Sequence, residues 1–424
     1  MSMWQKIKTQ ITENSSRGFF HLLSANVLIQ AVAFASQLFV AGILSPDDVG
    51  RIKVIMTFLS VFSVIGGMGF NGSTLKLCSE NRSRGEVRQI FSAGVFFTVI
   101  STIAFYLLAI LLNSFELFSS DKMIQWLIPM GLFPLITNSV FMVLVAYFQA
   151  IKEIKIMSRI TIVNKLISIA AIVLLTWLLG IKGYYIAYNI SFIIMLIVAM
   201  RLLKADFSFK KNTLRTNLRT HLTYSKPSLL ANLMSEISAY ADIFVINYLL
   251  SDMHEIGFYS FALTLTVALR IFPATVQQMA IPYFSGFSSD RQQFIAVFRK
   301  YNRQLYMVVF ATLILATLVA PFLIKTVFSG KYDASIPYFM FLSIGWSIRL
   351  LTQLQSAAIF GLGKLHYNGW ISLISMIFNV IIYFIFVTYF GAIGAAWASI
   401  PAGIVILITS RLFMKRALSA INMR

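Results

Sequence analysis

Across 424 residues the chain is 58% hydrophobic and only 12% charged, with a mean hydropathy of +0.80, where soluble domains hold about 25% charged residues. A soluble globule of this length has no use for so much apolar surface, so the composition excludes that class and indicates an all-α polytopic membrane protein. The net charge of +20 reads as a topology signal rather than as nucleic-acid binding, because the lysines and arginines gather between apolar runs on one side of the chain's path.

In chain order, residues 1–20 hold no apolar core followed by a small-residue cleavage site, so they do not read as a removed signal peptide. Met3, Trp4, Ile7 and Ile11 recur at helical spacing around Lys6 and Lys8, which suits a short interfacial helix or equally a frayed tail. Runs of about 20 apolar residues, the length that crosses a bilayer core, then recur at 21–43, 52–74, 89–113, 123–147, 158–179, 183–203, 224–250, 256–284, 303–328, 335–360, 369–389 and 393–412. Twelve crossings put both termini on one side, and the segments on that side carry the basic excess, which marks it as cytoplasmic. The expected organisation is a cytoplasmic N-terminal segment at 1–20, six helices over 21–203, a basic cytoplasmic linker at 204–223, six more over 224–412 and a cytoplasmic tail at 413–424. The linker suits a tether against anionic headgroups or a solvated loop.

The chain repeats itself. "GILSPDDVGRIKVIMTFLS" after the first run is echoed by "YLLSDMHEIGFYSFALTLT" after the seventh, with Leu44, Ser45 and Gly50 answering Leu250, Ser251 and Gly257. A weaker echo pairs "LLGIKGYYIAY" with "YFGAIGAAWAS". Six crossings per half is an even number, so the two lobes lie parallel about an axis along the membrane normal, with a site expected between them near the midplane.

Catalytic signals are missing from the sequence. No GxxxxGK[ST] loop is present, the loops opposite the basic side are short, Cys78 stands alone, and His21, His221, His254 and His366 lack metal-ligand spacing. No enzyme, cofactor or metal is expected. Ionisable residues at membrane depth are costly and face a protein interior or a wet cavity. Away from the ends of the runs these are Lys165, Glu236, Asp242, Arg270 and Arg349.

Amides and a phenol accompany them. Asn26, Gln30 and Gln37 share a face of the first run, Asn138 sits in the fourth, Asn232, Glu236 and Tyr240 form an i, i+4, i+8 stripe on the seventh, and Arg349 and Gln353 are spaced alike on the tenth. Such stripes serve cavities or helix packing, and Lys165 also reads as a lysine reaching the interface. Glu236 and Asp242, six residues apart, point about 120° from each other. Pro273 is placed to break the eighth helix and free its carbonyls. Cations in a midplane cavity favour an anionic cargo, arginine by its planar fork; the acids suit ion or proton coupling.

At the two echoed turns, "SSRGFFHLLSANVLIQAVAFASQLFVAGILSPDDVG" and "SAYADIFVINYLLSDMHEIGFYSFA", the sequence resembles the Wzx-type O-antigen flippases, in the polysaccharide-biosynthesis branch of the multidrug/oligosaccharidyl-lipid/polysaccharide (MOP) exporter superfamily. The matching positions are Arg17, Gly18, Gln37, Leu44 and Gly50, then Asp242, Gly257, Tyr259, Ser260 and Ala262. "GRIKV" departs from the family's aromatic after glycine. The resemblance implies a MATE-like fold of twelve helices in two lobes in a bacterial inner membrane. It also implies alternating access that moves an undecaprenyl-pyrophosphate-linked oligosaccharide from the cytoplasmic to the periplasmic leaflet. Membrane lipids, the polymerase and the chain-length regulator of the same pathway are the further partners it suggests, and no nucleic acid is among them. Two alternatives stay open, a multidrug cation antiporter, which wants an acid-rich cavity, and a membrane polymerase or glycosyltransferase, which wants a catalytic outer loop.

Overall fold

The computed structural model describes residues 18–203, 207, 211–250, 252–287 and 290–419, without the side chains of 18–26, 211–216, 227 and 282. The reading of the first seventeen residues therefore lies outside the described residues. Among those described, every regular element is helical: α1 (Gly18–Ile43), α2 (Pro46–Gly67), α3 (Phe70–Cys78), α4 (Arg84–Ser114), α5 (Lys122–Leu132), α6 (Pro134–Ala150), α7 (Ile154–Leu202), α8 (Lys211–Leu249), α9 (Met253–Gly286), α10 (Arg291–Phe328), α11 (Ser335–Leu350), α12 (Gln353–Gly361) and α13 (Leu365–Ser419).

The helix starts are written locally. Ser45 caps α2 by accepting from the Asp48 amide, with Pro46 in the first turn. Ser83 and Glu86 form a reciprocal capping box on α4, and Asp121, Asp252 and Asp290 cap α5, α9 and α10. The breaks are also local. α2 stops where Met68 and Gly69 turn left-handed, and α5 gives way to α6 at the Phe133–Pro134 step, where a proline opens the new helix. Pro273, by contrast, lies within α9, which runs unbroken through it, so the expected break is absent.

Among the described residues eight helical stretches are long and apolar enough to cross a membrane, which makes the fold all-α and polytopic. Two of them, α7 and α13, have 49 and 55 residues, far more than the roughly 20 a crossing needs. Each contains a glycine in a conformation closed to other residues, Gly180 at φ 62° and ψ −142° and Gly391 at φ 65° and ψ −153°. The chain reverses there: Gly183 lies against the Leu175 carbonyl and Gly394 against that of Phe386. The second sequence echo is thus the same sharp turn built twice.

Three buried clusters set the shape. One is shared by both halves of the chain and lies at the end of the molecule that carries the echoed turns, with Ala41, Phe118, Met253, Phe328 and Tyr332 among its members. At the other end the halves have separate cores, one around Phe70, Phe91 and Phe148 and one around Phe284, Phe294 and Ile359. The halves therefore meet at the turn end and part toward the terminal end.

The junction at the turn end is tight. A Cβ on Gly50 would stand 2.6 Å from the Met253 carbonyl and 2.9 Å from the Gly257 amide, and one on Gly257 would overlap the Pro46 carbonyl. Around this contact Asp47 meets His254 at 3.4 Å, and Asn247 donates to the Phe118 carbonyl at 2.6 Å. Lys331 donates to the carbonyls of Ala41 and Gly42 at 3.1 and 2.9 Å, and the Tyr332 hydroxyl to that of Ala41 at 3.0 Å. These last bonds satisfy the carbonyls that the end of α1 leaves without intrahelical partners.

At the terminal end α8 crosses between halves. Residues 211–223, part of the basic linker, are helical and continuous with the apolar span Ser228–Leu249. His221, fully buried, docks this stretch on the first half: its Nε2 donates to the Ile90 carbonyl at 3.0 Å, and its Nδ1 accepts from the Ser73 hydroxyl at 2.7 Å. The carbonyl, which cannot donate, fixes the hydrogen on Nε2, and burial favours the neutral ring, whose Nδ1 then accepts. Burial holds the imidazole below the ordinary histidine range.

The sign follows from linkage. Undocked, the ring takes up a proton near pH 6.5, so docking is strongest above that value and weakens as pH falls below it. Amide exchange across residues 217–227 is expected to be slow at pH 7.5 and faster, after correction for intrinsic rates, at pH 5.5, with His221→Gln removing the dependence. A wild-type protein protected equally at both pH values would exclude this role for His221.

Candidate functional site

Two adjacent cavities open between the halves. The first, about 510 Å³, is lined from α2, α3, α6, α7 and α8, with Ser60, Ser63, Asn71, Asn138, Asn232, Glu236 and Tyr240 as its polar wall. The second, about 480 Å³, is lined from α1, α2, α6, α7 and α9 and carries Gln37, Lys53, Asn164, Lys165 and Ser260. Met56, Met142 and Tyr188 belong to both walls, so the two lie side by side. The side-chain oxygens of Ser63, Asn138, Asn164 and Ser260 are buried without a hydrogen-bond partner among the described residues, an arrangement costly in a dry interior and explicable where water or a polar ligand enters.

The stripe on α8 faces this space: Asn232, Glu236 and Tyr240 all line the first cavity. Glu236 has no ion pair or hydrogen bond among the described residues. Asp242 points elsewhere. It is 5% exposed and accepts from the Tyr259 hydroxyl and from the Ile243 amide, each at 2.8 Å, with Lys53 and Arg349 in electrostatic range. One acid faces the cavity, and the other is enclosed behind it.

The central cations share one manner of support. Lys53 stands 5.4 Å from the Tyr240 ring centroid, and Arg270 and Arg349 stand 5.5 and 5.1 Å from that of Trp346. None of the three touches a carboxylate among the described residues. A ring attracts a cation through its quadrupole by about 0.5–2 kcal/mol without consuming N–H donors or cancelling charge. All three ammonium and guanidinium groups thus keep their hydrogen-bonding capacity for something else. Lys53 and Arg270 lie in range of each other's charge, as do Arg270 and Arg349, with Asp242 in range of Lys53 and Arg349. The cluster is net positive and spans both halves, and of the three cations Lys53 lines the second cavity while the arginines line neither.

The remaining expected residues are dispersed. Lys165 is exposed at the second cavity, which Gln37 also lines. Gln30 is half-buried and lines neither space, and the side chain of Asn26 is outside the described residues. The spacing of Arg349 and Gln353 does not give one stripe, because α11 ends at Leu350 and Gln353 opens α12. Gln353 instead accepts through its backbone carbonyl from Gln277 at 3.2 Å. Lys53, Trp346 and Asn71 enter the site from structure alone, and Tyr259, a position of the family resemblance, enters as the donor to Asp242. Lys53 is the second residue of the run 52–74 and so falls outside the ionisable residues counted away from the run ends. The i, i+3 spacing of Trp346 and Arg349 was the available signal for the second.

An all-α polytopic fold, joined at one end and opening between its halves, defines the class: a polytopic helical membrane protein. A family described as "Polysaccharide biosynthesis protein" matches residues 39–337, more than two thirds of the chain, and the chain belongs to that family. No curated protein matches it. Among solved structures it is similar to the lipid II flippase MurJ in an inward closed conformation, with a TM-score of 0.78 at 16% identity, covering 95% of this chain and 90% of that one. It is also similar to an inward-facing multidrug resistance MATE family transporter, at 0.73 and 13% identity, covering 93% and 95%. An outward-facing MATE family structure gives 0.63 at 14% identity, covering 94% and 96%.

Proposed function

We propose that this protein is a flippase that carries a lipid-linked oligosaccharide with a pyrophosphate headgroup from the cytoplasmic to the periplasmic leaflet of a bacterial inner membrane by alternating access. It is a transporter and not an enzyme. The observation that carries the reading is the net positive centre of Lys53, Arg270 and Arg349, held by aromatic rings and, among the described residues, without a direct carboxylate ion pair. Such a centre is suited to an anion. Membership of the polysaccharide biosynthesis family supports a glycan cargo, and the amide-rich wall offers donors and acceptors for sugar hydroxyls.

The same reading takes the molecule as twelve crossings in two six-helix lobes. Eight candidates are long and apolar enough; the reversals at Gly180 and Gly391 double two of them, and α1 and the broken pair α11–α12 supply the last two. The basic excess puts both termini and the parted end in the cytoplasm. Glu236, facing the cavity, is the acid suited to exchanging an ion or a proton, with Asp242 as an enclosed counter-charge. One observation favours the multidrug cation antiporter as a second reading: an unpaired carboxylate at Glu236 is what a cationic drug would seek.

The test is reconstitution into vesicles with a fluorescent undecaprenyl-pyrophosphate-linked oligosaccharide, with and without a proton gradient. Protein-dependent movement of the lipid between leaflets supports the proposal. Export of an organic cation without lipid movement would establish the antiporter instead, and gradient-independent flipping would make both acids structural.

A further inference from the structure

We infer that Trp346 sets the cargo preference of this site by holding Arg270 and Arg349 as one two-pronged clip for a diphosphate rather than a monophosphate. The inference rests on the anionic-cargo reading above and goes further, naming the residue that selects the headgroup.

Two guanidiniums approach a single indole, at 5.5 and 5.1 Å from its centroid, and sense each other's charge. Like charges gather at one ring at a cost unless a ligand with two negative groups joins them. Arg349 reaches the ring from the same helix, three residues on, and Arg270 comes across from α9. The indole is the part both have in common.

The ring is well anchored. Trp346 packs against the core shared by both halves and also against the core of the second half. Beneath it the backbone is wedged: a Cβ on Gly345 would lie 2.6 Å from the Ser399 carbonyl carbon, and one on Gly403 would lie 2.8 Å from the Gly345 carbonyl oxygen. The indole is therefore a fixed post, and two long side chains that would otherwise sample many rotamers are gathered on it. A diphosphate offers each guanidinium its own phosphoryl group in the fork geometry that arginine favours. A monophosphate has one phosphoryl group to divide between two forks, so gathering the arginines gains it less. Lys53, on α2 and held by Tyr240, adds attraction for either anion and no discrimination between them.

The experiment titrates inorganic pyrophosphate and orthophosphate into the full-length protein in neutral phosphatidylcholine nanodiscs. The wild type is expected to bind pyrophosphate at least about tenfold more tightly than orthophosphate. Trp346→Ala is expected to weaken pyrophosphate about tenfold and orthophosphate less than about threefold, so that the preference collapses, while Trp346→Phe, which keeps a ring face, retains most of it. An unchanged preference in Trp346→Ala overturns the inference, as does an equal loss for both anions that phenylalanine does not rescue. Should the alanine variant fail to fold, Trp346→Leu against Trp346→Phe makes the same comparison with volume largely kept. A wild type that binds neither anion removes the anionic-cargo reading itself, a result distinct from binding without preference.

Discussion

Replacing Gly257 with leucine is expected to leave the protein inserted and folded but unable to complete transport. The glycine sits where the two echoed turns meet, and even one added carbon overlaps the Pro46 carbonyl, so a leucine is accommodated only if α2 and α9 separate. Overpacking a close contact costs about 1–3 kcal/mol, and the upper end of that range moves a two-state balance roughly a hundredfold toward the separated form. A cycle that must visit both forms then stalls in one. The check is a cysteine pair at Asp47 and His254, whose side chains already meet at 3.4 Å. Oxidation is expected to join them readily in an otherwise wild-type protein and poorly when Gly257→Leu is added. Gly257→Ala should fall between. Efficient cross-linking together with normal transport in the leucine variant would show that this contact is not the gate.

That contact was half legible in the sequence. Leu44, Ser45 and Gly50 echo Leu250, Ser251 and Gly257 at a constant offset, which reveals a duplicated turn. The echo does not say that the two copies touch, because a repeat fixes what each half looks like and leaves its partner to three-dimensional packing. Gly180 and Gly391 were similarly visible as an echo, and their left-handed backbone follows from the need to reverse between two crossings. The stripe Asn232, Glu236 and Tyr240 was readable because one helix carries all three, and at 100° per residue the spacing also separates Glu236 from Asp242.

What could not be read were relations between helices distant in the chain. Tyr240 supporting Lys53 and Trp346 supporting Arg270 are contacts between separate helices, and no periodicity within one helix encodes them. Periodicity misled in two places. Proline at 273 stays helical because α9 is enclosed by neighbours, and Arg349 and Gln353 are parted by a turn that nothing in "SIRLLTQLQ" announces.

The positive centre makes the second large prediction. Arg270→Ala and Arg349→Ala are each expected to lower delivery of the glycan lipid about 10- to 100-fold at normal protein levels, since a hydrogen bond to a charged group contributes about 1.5–3 kcal/mol. Lysine at either position keeps the charge and loses the fork, so it should restore part of the activity. Lys165→Ala, on the second cavity and apart from the ring that gathers the two arginines, should cost much less. Because both arginines lean on one ring, their effects should not add: the double alanine variant is expected to lose less than the product of the single losses. Vesicle flipping rates of the four proteins, each normalised to the amount reconstituted, decide it. Full activity in both single alanine variants would remove the charge model of the cavity. Strictly multiplicative losses would leave the charges in place but separate them, since two independent cations attract an anion without cooperating through a shared support.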